Sequence, residues 1–323
     1  LQTDLFDIIR PELALVEQKL REGLDALFPP LAEAALTLLN SGGKRLRPAL
    51  AVLAARFGPG AATANVTALA AAVETLHTAT LVHDDLIDGA RVRRGRATLS
   101  ASWATAPVVL AGDYLFARAA GFAADTNSVE VVKLFSEALR TICDGELRQL
   151  FGAFDLEQAQ DTYYVRIFSK TASLFAVSAR AGAALSGADA ATVEALYQYG
   201  RNLGMSFQIE DDMLDFVGDE QLLGKPVGSD LRQGIVTLPV YYFLRENPQR
   251  DAWRAGLAAS NPERGAVVDR LVAEIRQAPA IAACWAEAQT FARQAQEALA
   301  ALPDIEEKRR LLTLAETLLR RQH

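Results

Sequence analysis

Cysteine is nearly missing from this sequence of 323 residues: Cys143 and Cys284 are the two present, far apart and without metal-ligand spacing. A disulfide framework and a zinc centre are therefore excluded as readings, and a reducing, cytoplasmic setting is expected. Positive charge is not in excess either. A formal net charge of −7 offers no basic face for nucleic acid. Long uncharged apolar runs are also lacking, because the most apolar stretch, 104–124, is broken by Asp113 and Arg118 and contains Pro107, so no transmembrane segment is expected. Asp4, Asp7 and Glu12 interrupt the first residues, which is incompatible with a signal-peptide core there. Period-two runs of β-branched residues hardly occur, and there is no linker, low-complexity tract or sustained repeat.

What remains is apolar and helical. Half of the residues are hydrophobic, enough for a sizeable core. Leu13, Val16, Leu20, Leu24 and Leu27 recur at helical spacing, and similar patterns run along most of the chain. The expectation is an all-α protein of roughly ten or more helices, forming one domain over residues 1–323. The punctuation agrees: Pro11 suits a first turn, Gly58-Pro59-Gly60 stops a helix, Asn127 with Glu130 resembles a capping box, and Asp189 is a candidate N-cap. Val240 to Leu244 could pass for a strand, but Thr237-Leu238-Pro239 before it better opens a helix.

One short pattern occurs twice, as Asp84-Asp85-Leu86-Ile87-Asp88 and Asp211-Asp212-Met213-Leu214-Asp215. On a helix the first and last aspartates of each cluster are four apart and share a face, where like charges destabilise it. A carboxylate pair about 6 Å apart costs roughly 3 kcal/mol at an effective dielectric near 20. A single such cluster could be a solvated helix end. Two, each following an apolar stretch (Leu81-Val82 and Phe207-Gln208-Ile209), point instead to divalent cations as counter-charge. Mg²⁺ prefers hard oxygen ligands, commonly one or two carboxylates together with phosphate oxygens.

Two basic stretches supply the complement. Ser41-Gly42-Gly43-Lys44-Arg45-Leu46-Arg47-Pro48 sets three cations beside a glycine pair, ahead of a helix expected from Pro48; such a loop can wrap a phosphate, or be merely an exposed basic turn. Arg91-Val92-Arg93-Arg94-Gly95-Arg96 follows the first aspartate cluster and could simply pair with it. His77 and His83 are six apart, not the four of a helical zinc pair, so His77 reads as a partly buried histidine. Asp113 reads as a structural partner without chemistry.

Taken together, these pieces resemble the trans-isoprenyl diphosphate synthases, also called polyprenyl synthetases. The resemblance spans Gly42 to the Pro239 region, and more diffusely beyond, through Gly42-Gly43-Lys44-Arg45-Leu46-Arg47-Pro48, the 74–88 stretch, Arg93-Arg94-Gly95, Lys170-Thr171-Ala172, and 207–215 followed by Gly224-Lys225. It implies the isoprenoid synthase type I fold, helices around a central cavity, and usually a homodimer. It further implies Mg²⁺, three ions per site with Mn²⁺ as a possible substitute. Asp84, Asp88 and Asp211 would contact the metal, with Asp85, Asp212 and Asp215 nearby or acting through water. Arg93, Lys170, Thr171, Gln208 and Lys225 would hold an allylic diphosphate, and Lys44, Arg45, Arg47, His77 and Arg94 isopentenyl diphosphate. No nucleophilic side chain is needed for such chemistry, so the lack of a Ser-His-Asp or Cys-His set is expected.

Many family members carry lysine where this chain has Ile235, so one expected cation is missing, as in some medium- and long-chain relatives. Leu76, Ala79 and Thr80 stand at the positions implied to set product length. Small residues at 79 and 80 disfavour a C15 product and leave C20 and roughly C30 to C50 open in this analogy. A regulatory subunit of a heteromeric synthase is the main alternative, although it could dispense with the carboxylates that are all present here. A class I terpene cyclase fits less well, because it binds one diphosphate and needs no second basic pocket.

Overall fold

The computed structural model describes residues 5–93, 95–218, 226–258 and 261–319. Its helices are α1 (Arg10–Arg21), α2 (Pro29–Asn40), α3 (Leu46–Ala54), α4 (Thr63–Ile87), α5 (Leu99–Ser102), α6 (Thr105–Asp125), α7 (Val129–Phe151) and α8 (Gln160–Ile167). A π-helical turn (Phe168–Ala172) leads into α9 (Ser173–Leu185) and α10 (Ala190–Val217). After these come α11 (Ser229–Arg232), α12 (Leu238–Glu246), α13 (Arg250–Leu257), α14 (Arg264–Gln277), α15 (Pro279–Ala298) and α16 (Glu306–Leu319). Among the described residues the one strand pairing is a ribbon that sets Val92 against Ala97 and Arg93 against Arg96. No described helix is long and apolar enough to cross a membrane.

Helix α4 occupies the centre. Residues 66–76 are buried on every face, the signature of a helix surrounded by others rather than lying on a surface. It packs against α6, α3, α1 and α9, and α9 packs in turn on α10. The last of these contacts depends on glycine: a Cβ at Gly204 would lie 2.5 Å from the Ala172 Cα, and one at Gly200 2.6 Å from the Phe175 carbonyl oxygen. The main core therefore joins Leu50, Leu53, Leu69, Leu76, Phe175, Tyr199 and Leu203 across four helices, α3, α4, α9 and α10. Each such side chain contributes about 1.5–3 kcal/mol through burial. A second cluster, around Phe216, Trp253 and Leu271, unites the end of α10 with the C-terminal helices.

The local signals land close to where the sequence puts them. Pro11 sits in the first turn of α1, and the Asp189 carboxylate accepts from the Thr192 amide at 2.7 Å. The tract 240–244 is helical, within α12, with Pro239 at its start. Two expectations shift. Ser128, not Asn127, caps α7 by accepting from the Val131 amide, while Asn127 takes the left-handed conformation at φ 54°. Helix α3 opens at Leu46 rather than Pro48; Pro48 still falls in the first turn, where a missing N–H costs nothing.

The Tyr199 hydroxyl donates to the Leu311 carbonyl at 2.7 Å, tying α10 to α16. Tyr199→Phe removes one hydrogen bond and should lower stability by about 1 kcal/mol. Leu76→Ala opens a cavity beneath α4 and should cost about 2–5 kcal/mol. Urea unfolding curves check both; the reverse order would contradict this description of the core.

Candidate active site

The first aspartate cluster stands at the C-terminal end of α4, with Asp88 as the capping residue. Asp84 is half-buried and Asp85 buried. Burial pushes the Asp84 carboxyl up to about 6; Lys170 opposes that shift, Glu146 and Asp88 add to it, and Arg93 opposes it again. The Asp88 carboxyl also rises, first through burial and despite Lys170, even though this helix end keeps an exposed flank. These two acids thus share a face and a recess with too little positive charge to settle both.

Asp85 has a different environment. It points into the protein and accepts from the Arg93 Nε at 2.7 Å, which fastens the ribbon to α4. Arg93 consequently pairs with Asp85 directly and acts on Asp84 and Asp88 at longer range.

The second cluster lies near the C-terminal end of α10. Asp211 is exposed, whereas Asp212 and Asp215 are buried. Asp212 accepts from the Tyr163 hydroxyl at 2.8 Å and from the Gln208 amide at 2.7 Å, and the Gln208 amide oxygen accepts from the Thr171 hydroxyl at 2.6 Å. Burial, helped by Asp230 and opposed by Arg166, Gln208 and Tyr163, pushes the Asp212 carboxyl up to about 7. Asp215 accepts the Asp230 amide on its side chain at 3.1 Å and the Gly228 amide on its carbonyl at 2.7 Å. It thereby anchors the return of the chain after α10. Thr171 and Gln208 thus fix Asp212 in place, and Asp211 is the acid of this cluster presented outward.

Lys170, on the π-helical turn, connects the clusters. Its ammonium lies 2.5 Å from Glu146 on α7, and its neighbour Thr171 bonds to α10. Burial alone would lower the Lys170 pKa, but Asp84, Glu146 and Asp88 outweigh it and raise it. Asp230 acts from the other side, since its charge reaches both Asp88 and Asp212. Glu146 and Asp230 receive no site role from the sequence because neither belongs to the repeated aspartate pattern. Only the packing of α7 and the anchoring by Asp215 bring them here.

The glycine-rich loop divides its cations. Lys44 is exposed and Arg47 half-buried, with the Arg47 guanidinium 4.6 Å from the centre of the Phe175 ring. His77 is half-buried and lies seven residues before Asp84, hence on the same face of α4. Arg45 is turned inward: it donates to Glu17 at 2.6 Å, Glu74 at 2.7 Å and the Leu39 carbonyl at 3.0 Å. In this arrangement its guanidinium holds the loop to α1 and α4. Lys225 and Arg94, expected to hold one diphosphate each, lie outside the described residues, as does Gly224.

The three residues expected to set product length diverge. Thr80 is half-buried one turn below Asp84, with its hydroxyl bonded to the His77 carbonyl at 2.8 Å. Leu76 belongs to the main core, and Ala79 packs with Val82, Val108 and Leu115 against α6.

Among the described residues, no group of three histidine, cysteine or acidic side chains converges tightly enough to hold a metal alone. The arrangement fits a cation that brings other oxygens with it, as Mg²⁺ does when a phosphate shares its coordination. Asp84 and Asp88 can supply one or two ligands from α4 and Asp211 one from α10.

Comparison with known proteins gives a consistent result. The family profile described as Polyprenyl synthetase matches residues 29–275. The chain is 40% identical to heptaprenyl diphosphate synthase component 2 of Geobacillus stearothermophilus over 312 residues, covering 96% of each protein. It superposes on the heptaprenyl diphosphate synthase of Staphylococcus aureus with a TM-score of 0.93 and 36% identity, covering 98% of this chain and 99% of that one. The polyprenyl synthase of Caulobacter crescentus CB15, solved in complex with calcium and isoprenyl diphosphate, gives a TM-score of 0.90 at 36% identity, covering 100% and 98%.

A raised carboxyl pKa carries a stability consequence with a definite sign. Between the ordinary value of 3.8 and about 6 for Asp84, or about 7 for Asp212, the folded chain binds more protons than the unfolded one, so stability falls as pH rises through that window. In chelator, Asp84→Asn should therefore raise the melting temperature at pH 8 and change it far less near pH 3.8, at the foot of that window. Thermal melts at the two pH values check this, and a lower melting temperature at pH 8 would show that Asp84 is a structural ion.

Proposed function

The chain belongs to the polyprenyl synthetase family, and on that basis we propose how its site works: as a trans-prenyltransferase that condenses isopentenyl diphosphate head-to-tail with an allylic diphosphate. What supports the site reading is that the charge of Asp230 acts on both Asp88 and Asp212, while Lys170 lies beside Asp84 and Asp88 and its neighbour Thr171 bonds to Gln208 on α10. The family is metal-dependent, and the finer reading here is Mg²⁺, three ions per site, with Mn²⁺ able to replace it. When bound, the metal supplies positive charge to the diphosphate oxygens.

The chain's own groups then divide the work. Asp84, Asp88 and Asp211 hold the metal-bound allylic diphosphate between α4 and α10. Lys170 and Arg93 lie beside the first cluster, where they offset charge developing as the carbon–oxygen bond breaks. Lys44, Arg47 and His77 hold the second diphosphate on the α3–α4 side, joined by Arg94. Lys225 completes the allylic side. Asp85, Asp212, Asp215, Thr171, Gln208 and Arg45 keep these groups in position through the bonds described above. The isopentenyl double bond attacks the allylic cation, and the departing diphosphate is the base nearest the proton that is then lost.

Thr80, one turn below Asp84, is the first side chain a growing product meets, and its small size favours a product of C20 or longer. Heptaprenyl products, named for two of the relatives above, fall within that range. Chain pairing is proposed through the outer face of α6, where Val109 and Leu110 are 37% and 66% exposed, giving a homodimer. The Geobacillus relative is named as one component of a synthase, so dependence on a different subunit is the second reading.

Incubation of the purified chain with labelled isopentenyl diphosphate and farnesyl diphosphate tests the proposal. Metal-dependent products of C20 or longer are expected from the chain alone; elongation seen only after adding a second protein would favour the heteromeric reading. Asp84→Ala and Asp211→Ala should each reduce turnover by at least a hundredfold, on the scale of losing a group that stabilises transition-state charge, and near-normal rates in both would sink the site assignment. Thr80→Phe should shorten the product. Ala79→Phe should do so as well, although Ala79 sits against α6 and the ring would also strain that contact; an unchanged ladder from Thr80→Phe would show that this face does not line the product's path.

A further inference from the structure

Lys170 stands near enough to Asp84 and Asp88 to depress both carboxyl groups against the effect of burial. A flexible ammonium beside two recessed carboxylates has every electrostatic reason to pair with them directly. Among the described residues it does not: its ion pair is with Glu146, at 2.5 Å, through side chains only 27% and 14% exposed.

This partnership is built into the packing. Glu146 follows Gly145 on α7, where a Cβ would lie 2.5 Å from the Ser169 Cβ and 3.3 Å from the Lys170 amide nitrogen. The backbone of α7 is thus pressed against the π-helical turn, and no residue larger than glycine fits between them. Such turns are local widenings of a helix and recur at functional sites. The contact sets the Glu146 backbone one residue from the touching point and brings its carboxylate to Lys170, near enough to α4 for its charge to act on Asp84 and Asp88 as well.

Resting on the synthase reading above, we infer that Glu146 is a positioning residue that holds the Lys170 ammonium off the α4 aspartates, leaving Asp84 and Asp88 open to a metal-bound diphosphate. Without that tether the lysine swings onto Asp84 and Asp88 and competes with the cation they would otherwise bind. With it, the lysine stays at the margin of the site, charged and ready to meet diphosphate oxygens. Glu146 does not itself touch substrate.

A double-mutant cycle separates this role from simple structural support. The probe is farnesyl thiodiphosphate, an allylic analogue that ionises poorly, titrated calorimetrically into the full-length chain with Mg²⁺. Glu146→Gln should weaken binding about tenfold and raise the half-saturating Mg²⁺ concentration several-fold, while the KM for isopentenyl diphosphate stays within twofold. In the Lys170→Met background the same substitution should change affinity by less than twofold. Glu146→Asp should recover most of the loss, and Glu146→Ala provides the same cycle should the glutamine variant fold poorly. Equal weakening in both backgrounds, or none with Lys170 intact, would overturn the inference. Failure of the unsubstituted chain to bind the probe in a metal-dependent way would instead overturn the synthase reading, and this inference with it.

Discussion

Everything near the cleft answers to one constraint: carboxylates are held in a recess of low dielectric, where each one's charge raises the cost of its neighbour's. The protein relieves some of that cost internally. Arg93 neutralises Asp85, and Tyr163 with Gln208 supports Asp212. Asp215 is absorbed into a backbone anchor. Asp84 and Asp88 are left with partial compensation from Lys170, which is itself engaged by Glu146. That unrelieved charge sets the end of α4 apart from an ordinary helix terminus and is the reason a cation site is proposed there.

The surrounding architecture preserves this imbalance. Helix α4 is encased in apolar side chains along 66–76 and cannot shift to move its acidic end into solvent. Helix α10 is fixed from both sides, by glycine-mediated contact with α9 and by packing on α15. The π-helical turn between them carries Lys170 toward α4 and α7 while Thr171 bonds to α10. Like-charge repulsion at the end of α4 is therefore relieved most directly by a ligand of opposite charge. Sites that are stable only when filled are a familiar cost of function.

Much of this was legible in the sequence because it depends on local periodicity. Helical spacing identified the all-α class, and the repeated aspartate pattern marked the two helix ends, on α4 and α10, from which the proposed site is built. The four-residue spacing correctly put Asp84 with Asp88. It could not show that Asp85 turns to Arg93, or that Asp212 is enclosed by Tyr163, because those pairings join residues 8 and 49 positions apart. Arg45 illustrates the same limit: three adjacent cations look equivalent in a loop, yet the left-handed backbone at Arg45, φ 48°, sends one of them inward to Glu17 and Glu74. Glu146 and Asp230 carry no motif of their own and become visible only when tertiary contacts bring them to the clusters.

The central claim is that cation binding relieves buried carboxylates that would otherwise retain protons near neutral pH. Calorimetry of Mg²⁺ and inorganic diphosphate binding, run at pH 6 in buffers of different ionisation enthalpy, measures the protons released. The account predicts a release from the unsubstituted chain that is clearly reduced in Asp84→Asn under identical conditions. Equal proton release from the two proteins would contradict it, because the charge at Asp84 would then play no part in what the site binds.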